Sequence, residues 1–159
     1  MATPLDYAAD YLWKILEENE QFSALVPKAN RIKQSSYYVP GMLDPITEAD
    51  TPRVAIMLSG HAPHMHYATN YTQIDAIFDV AVFVSGLNIG VVNAIIWAIL
   101  CAIKEARETA SSDEYVLTVT AAKTECKLDR ISDRVVQATA CRIIVTLKLS
   151  SDEMEQLEI

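Results

Sequence analysis

The sequence has 159 residues, of which 51% are hydrophobic, and a formal net charge of -8. This length and apolar content correspond to about one globular domain, and the acidic charge argues against non-specific binding to DNA or anionic membranes. Three cysteines without motif spacing argue against a disulfide framework and fit the cytoplasm. We expect one domain over residues 1–150 and an acidic tail over 151–159.

The N-terminus and the most apolar stretch both argue against a membrane partner. Asp6 and Asp10 stand where a signal peptide has its apolar segment. Residues 89–103 are amphipathic and fewer than the roughly 20 that cross a bilayer.

The N-terminal third predicts a helix, a short strand and a loop. Apolar residues recur with helical spacing over 4–20, and the cluster at 22–26 is expected to fix the helix end to the core. Glutamates within 17–20 oppose the helix dipole, so we expect them to have a cationic partner or to face open water. Residues 30–32 predict a short strand, and 34–51 predict a long loop.

The middle of the chain predicts two strands, a polar connection and a helix. Residues 53–58 and 73–85 predict strands; in the second, the even positions form an apolar face and the odd positions a mixed, partly covered face. Residues 89–108 predict a helix that lies across the sheet. Its wide apolar stripe comprises Val91, Val92, Ile95, Ile96, Ile99, Leu100 and Ile103, and its C-terminal end is polar. The connection over 59–72 is a candidate partner-facing loop, with the side chains of His61, His64, His66, Tyr67 and Tyr71.

The histidines leave a metal site open as an alternative to a polar loop tip. His64 and His66 share a face of an extended segment, and Asp75 approaches from the paired strand. Chelate spacing alone is a weak signal. Asp75 and Asp79 fit a solvated or intersubunit face better than acid–base chemistry, and no phosphate loop or nucleophile motif occurs. We therefore expect no enzyme activity, no cofactor and no metal.

Two long strands, 115–128 and 134–149, are predicted to close the chain as a hairpin with its turn at 129–133. Strands usually have five or six residues, whereas these span roughly 50 Å each at about 3.3 Å per residue. A domain of this size has a radius of gyration of about 15 Å. We therefore expect the hairpin to project from the domain or to bend sharply.

The apolar positions of both strands change parity halfway, at 121/122 and at 140/141. Folding about Ile131 pairs Ala122 with Ala140, so both strands change apolar face at the same height, which requires a bulge or a new packing partner. We predict that the base packs on the domain's own helices and the tip on a neighbouring subunit; the alternative is a hairpin bent over its own core. The candidate intersubunit interface comprises Ala122, Thr124, Cys126, Leu128, Val136, Ala138 and Ala140.

Together these elements predict an α+β fold. It has a mixed, mostly antiparallel sheet with two main helices packed on it and a long C-terminal β-hairpin.

This order of elements resembles the phage tail terminator family, also called tail completion or minor tail protein U-like proteins. The beginnings are similar: an amphipathic helix, a Phe-x-Ala-Leu-Val segment at 22–26 and an Asn-Arg-Ile turn at 30–32. The Pro-rich loop before Thr-Pro-Arg-Val at 51–54 is also similar. The resemblance covers nearly the whole chain as a pattern of elements.

The resemblance implies a homo-oligomeric ring, expected to be a hexamer, in the tail or neck of a virion. Such a ring caps the tail tube, ends its polymerisation and joins the head–tail connector or stopper, while genomic DNA passes through the lumen without sequence-specific binding. It implies neither an enzyme nor a cofactor. The hairpin and the acidic tail are longer than the family pattern leads us to expect. The alternative roles of head–tail connector, stopper or tube subunit therefore stay open. A small ligand- or metal-binding ferredoxin-like domain is the alternative from another class.

Overall fold

The computed structural model describes residues 4–32, 52–65, 72–85, 89–113, 115–130 and 135–149. Their order along the chain is helix, short helix, short strand, two long strands, long helix and two long strands. The elements are α1 (Pro4–Glu18), α2 (Glu20–Leu25), β1 (Arg31–Ile32), β2 (Arg53–Met65), β3 (Thr72–Ser85), α3 (Ile89–Thr109), β4 (Val116–Arg130) and β5 (Val135–Leu149). The loop predicted at 34–51 and the tail at 151–159 lie outside the described residues.

The five strands form one sheet in the order β1-β2-β3-β5-β4. The β1–β2 pair is parallel, and the other three pairs are antiparallel. The predicted α+β class is therefore confirmed. Strands β3 and β4 run in the same direction with β5 between them, and α3 connects them as in a split βαβ unit.

The helices cover one face of the sheet, called here the helix face; the opposite side is the outer face. Leu12 and Leu16 of α1 and Ile95 and Ile99 of α3 are fully buried in one core with β3. The predicted apolar face of β3 is confirmed, because all of its even positions are buried: Ile74, Ala76, Phe78, Val80, Val82 and Val84. Within the described ranges, no helix has the length and apolarity needed to cross a bilayer.

The N-terminal helix is shorter than predicted. It ends at Glu18, and α2 follows after Asn19. The backbone N–H of Phe22 donates to the side-chain oxygen of Asn19 at 2.9 Å, which caps α2 and separates it from α1. Phe22 and Val26 are fully buried, so the expected anchoring of the helix end is confirmed.

Arg31 joins β1 to the end of α2. Its guanidinium donates to the carbonyl oxygen of Val26 at 2.8 and 3.1 Å and to that of Ser23 at 3.2 Å. It also pairs with Glu17 at 3.0 Å and lies 5.8 Å from the centre of the Phe22 ring. Arg31 is therefore the cationic partner of Glu17, whereas Glu18 and Glu20 are exposed, as the alternative expected. Arg31 also satisfies carbonyls at the α2 terminus.

Strand β2 is longer than predicted. It pairs with β3 as far as Met65, so residues 59–65 form strand where the sequence predicted a polar connection. The register shifts between Leu58 and Gly60, which makes Ser59 the extra residue of a bulge. The backbone hydrogen bonds offered by β3 outweigh the low strand propensity of this segment.

The start of β4 is tied to α1 through Asp113. The Tyr7 hydroxyl donates to the Asp113 carboxylate at 3.0 Å, and the same carboxylate accepts the N–H groups of Tyr115 and Val116 at 2.9 and 3.1 Å. The rings of Tyr7 and Tyr115 meet edge to face with their centres 5.0 Å apart. These contacts fix where β4 enters the sheet.

Replacing Arg31 with alanine is expected to lower the free energy of unfolding by about 2–4 kcal/mol, because the substitution removes a buried guanidinium that donates to the carbonyls of Ser23 and Val26 and pairs with Glu17. Urea unfolding measures the change. Arg142→Ala is the matched control, since the Arg142 side chain is 49% exposed in its pair with Asp79, and less than about 1 kcal/mol is expected. Equal losses in the two variants would contradict this account.

Candidate functional site

The C-terminal hairpin has the length that the sequence predicts. Strands β4 and β5 contain 15 residues each. However, β5 also pairs with β3 on its other side, from Val136 to Leu149. The expectation that the hairpin projects is therefore wrong, because β5 is a central strand and the sheet is long as a whole.

The pairing within the hairpin also differs from the prediction. Ala140 pairs with Glu125, not with Ala122. The last pair described at this end of the hairpin joins Arg130 to Val135, so the pairing is centred later in the chain than the predicted Ile131. The predicted register is therefore wrong along the whole hairpin.

A β-bulge at Ala122 explains the change of parity in β4. Ala121 pairs with Ile143 and Lys123 pairs with Arg142, so Ala122 is the extra residue. One extra residue reverses the parity of the sequence while the apolar positions stay on the same face. The change of parity predicted in β4 therefore coincides with a bulge, and the apolar positions before and after it lie on the same face of the sheet.

The candidate intersubunit residues consequently fall on two faces. The candidate residues of β4 that follow the bulge take helix-face positions, because Thr124 pairs with the buried Cys141 of that face. The candidate residues of β5 take outer-face positions, because Ala140 pairs with Ala81 and Ala138 pairs with Phe83. The helix-face set is Thr124, Cys126 and Leu128, and the outer-face set is Val136, Ala138 and Ala140. The two sets therefore lie on opposite faces of the sheet, and their contact with a neighbouring subunit stays a prediction. Of these six side chains, only that of Ala140 lies within the described residues.

The outer face has a buried apolar end. Ala55, Ala81 and Phe83 occupy outer-face positions, with Ala55 opposite Ala81 across the β2–β3 pair. All three are at most 5% exposed. The prediction that the second face of β3 is partly covered is therefore confirmed.

Polar cross-strand contacts follow along the same face. The Arg142 guanidinium makes a two-point contact with the Asp79 carboxylate, at 3.0 and 3.3 Å. The Thr146 hydroxyl donates to Asp75 at 2.7 Å. Each carboxylate of β3 thus has its own partner on β5.

An isoleucine pair separates these polar contacts. Ile77 lies opposite Ile144, and both are half-buried. The resulting strip combines charge pairs with apolar side chains, as protein–protein interfaces do. We call it the outer band: Asp75, Ile77, Asp79, Arg142, Ile144 and Thr146.

The described residues offer little for acid–base or metal chemistry. Asp75 and Asp79 contact different side chains of β5, Thr146 and Arg142 respectively. Burial raises the pKa of Tyr11, with smaller contributions from the carboxylates of Asp113 and Glu18; the neutral phenol is favoured, which makes Tyr11 a poor general base. No group of three metal-ligating side chains occurs in the part of the chain that the structure describes.

The histidine cluster is divided between the two faces. His61 and His64 lie in β2, not in a loop. His64 is opposite Gln73, on the face that also carries Asp75, whereas His61 takes a helix-face position. Of the two histidines in β2, the register therefore places His64 alone on the face of Asp75, and the predicted pairing of His64 with His66 stays a prediction. The side chains of His61 and His64 lie outside the described residues, as do His66, Tyr67 and Tyr71 entirely.

Two residues of interest were missed in the sequence. Arg142 is 63 residues from Asp79 along the chain, so only the strand register reveals the pair. Trp97 is 64% exposed. The sequence could have indicated that Trp97 is exposed, because this residue stands outside the apolar stripe predicted for α3.

No protein-family model and no curated protein matches this chain. Its function is therefore inferred from its own residues and fold.

Deleting Ala122 is expected to preserve the fold, because the deletion removes the bulge and leaves the flanking β4–β5 pairs in register. The free energy of unfolding is expected to fall by no more than about 2 kcal/mol. Urea unfolding followed by circular dichroism measures this change.

Deletion of Ala140 is the matched control for that experiment. The β3–β5 ladder contains no register shift, so losing one residue there moves a run of side chains to the wrong face. We expect no cooperative unfolding transition for this variant. Equal tolerance of the two deletions would contradict the assigned register.

Proposed function

We propose that the chain is a phage tail terminator, a structural virion protein of the tail or neck. In this role it forms a ring, a hexamer in the family that it resembles, which caps the tail tube and ends its polymerisation. The ring also joins the tube to the head connector or stopper. The observation that carries the proposal is the long sheet with helices on one face and the outer band on the other.

The sheet edges also support association between copies. Within the described residues, β4 is an edge strand of 15 residues that pairs with β5 alone. A long edge strand offers unpaired backbone groups to another chain. A closed ring needs two different surfaces on each subunit, and the outer band and the β4 edge supply two.

The two N-terminal motifs of the resemblance are in contact. Arg31 of the Asn-Arg-Ile turn donates to the carbonyl oxygen of Val26 and lies over the ring of Phe22, at opposite ends of the Phe-x-Ala-Leu-Val segment. The motifs therefore behave as one structural unit. A shared unit supports the resemblance better than two independent short matches.

The charge of the chain suits a ring through which DNA passes. A net charge of -8 disfavours retention of a polyanion. Ring assembly in the host cytoplasm and passage of DNA without sequence-specific binding are both compatible with this charge. The proposed role requires no cofactor.

Deleting the gene from its phage is expected to give overlong tails that are not joined to heads, because tube growth lacks its terminator. Electron microscopy of lysates measures tail length. Loss of a tube subunit instead gives no tails, and loss of a connector or stopper gives tails of normal length without heads. Normal tails joined to heads would contradict every one of these assembly roles.

Complementation in the same deletion tests the outer band. A wild-type copy is expected to restore tail length. An Ile144→Lys copy is expected to fail, because a charge replaces a half-buried apolar contact. Lys28→Glu, an exposed change on the turn before β1, is the matched control that is expected to restore tails.

A further inference from the structure

The first four turns of α3 carry no charged residue on any side of the helix. Asn93 is the one polar residue between Ile89 and Ile103. A helix with this composition is normally buried on all sides. The core covers only one side of α3, where Val92, Ile95 and Ile99 are buried.

Trp97 is at the centre of the exposed side of α3. It is 64% exposed, and it is the exposed large hydrophobic side chain of the described residues. Its neighbours one turn away on the same side are the exposed Ala94 and the half-buried Cys101. The nearest charged residue on this side is Lys104, two turns or about 10 Å further along the helix. Exposed tryptophans of this kind are typical interface anchors.

An acidic groove lies on the surface of α1. It has a volume of about 400 Å³ and is lined by Asp10, Trp13, Lys14, Glu17 and Glu18. Trp13 is buried and supplies apolar lining, while Asp10, Lys14 and Glu18 are exposed. The groove thus combines an apolar lining with a charged rim.

The two surfaces match in spacing and in one pair of opposite charges, Lys104 and Asp10; the exposed Glu105 and Glu108 further along α3 are not part of the match. Seven residues separate Trp97 from Lys104, and seven separate Asp10 from Glu17, so each pair spans about 10 Å. An antiparallel approach of the helices sets Trp97 beside Lys14 and Glu17 when Lys104 faces Asp10. These contacts pair a lysine with an indole ring and a lysine with a carboxylate.

We propose that Trp97 of one copy docks in the α1 groove of a second copy, with Lys104 facing Asp10. The contact joins two different surfaces, so it propagates from subunit to subunit and closes into a ring where the rotation permits. The inference rests on the proposed ring and names a contact within it. It also explains why α3 is apolar on a side that its own core leaves exposed.

Sedimentation equilibrium of the purified chain tests this contact. Trp97→Ala is expected to raise the dissociation constant for self-association about thirtyfold, the effect of losing a hot spot of about 2 kcal/mol. Lys104→Glu and Asp10→Lys are each expected to raise it about tenfold, and the double variant to restore it. Lys28→Glu is the control for charge reversal and is expected to change nothing.

Fluorescence gives an independent readout, because the chain has two tryptophans. Trp13 is 4% exposed and Trp97 is 64% exposed. Raising the protein concentration, or adding tail tubes, is expected to shift the emission to shorter wavelength as Trp97 is covered. The Trp97→Phe variant, which retains only Trp13, is expected to show no shift.

The failures of this contact and of the proposed function are distinguishable. Rings that form equally well from Trp97→Ala overturn the docking contact and leave the terminator role intact. If the purified chain self-associates through Trp97 but deletion of its gene leaves phage tails normal, the terminator role is overturned and the docking contact stands. A chain that stays monomeric, with unshifted emission both at high concentration and on tail tubes, overturns the docking contact.

Discussion

Strands β3 and β5 exchange backbone hydrogen bonds without interruption from Thr72 opposite Leu149 to Ser85 opposite Val136. This ladder is the contact on which the other elements depend. On one side it fixes the helix face, where α1 and α3 bury the even positions of β3. On the other it fixes the outer band, because only this register places Arg142 against Asp79 and Thr146 against Asp75.

The elements that the sequence predicts well have a strong internal pattern. The even positions of β3 from Ile74 to Val84 are apolar without a break, and both strands of the hairpin are long and apolar, so their type and length follow from local residues. The extension of β2 does not, because Gly60 and Pro63 lower its strand propensity and only the pairing with β3 makes it extended. The turn of the hairpin is likewise misplaced because each bulge adds a residue that the alternation alone does not locate.

The candidate site is predictable only in part for the same reason. A change of apolar parity is visible at Ala122 and at Ala140, but it has two physical causes. In β4 a bulge absorbs it and the strand keeps its face; in β5 no bulge occurs and the apolar positions move to the outer face. The residues predicted for the tip interface therefore lie on both faces of the sheet, and the fold adds an outer band, a β4 edge and an exposed tryptophan on α3. We propose these three features as surfaces for association with other subunits.

The central claim is that β5 is an interior strand along its whole length, so that the hairpin belongs to the sheet and does not project from it. Amide hydrogen exchange of the isolated chain tests this most directly. The account predicts that the amides of residues 136–140 exchange about as slowly as those of 143–147, since both stretches are paired on both sides. Fast exchange over 136–140 with protection confined to 141–149 would contradict it and would restore a projecting hairpin.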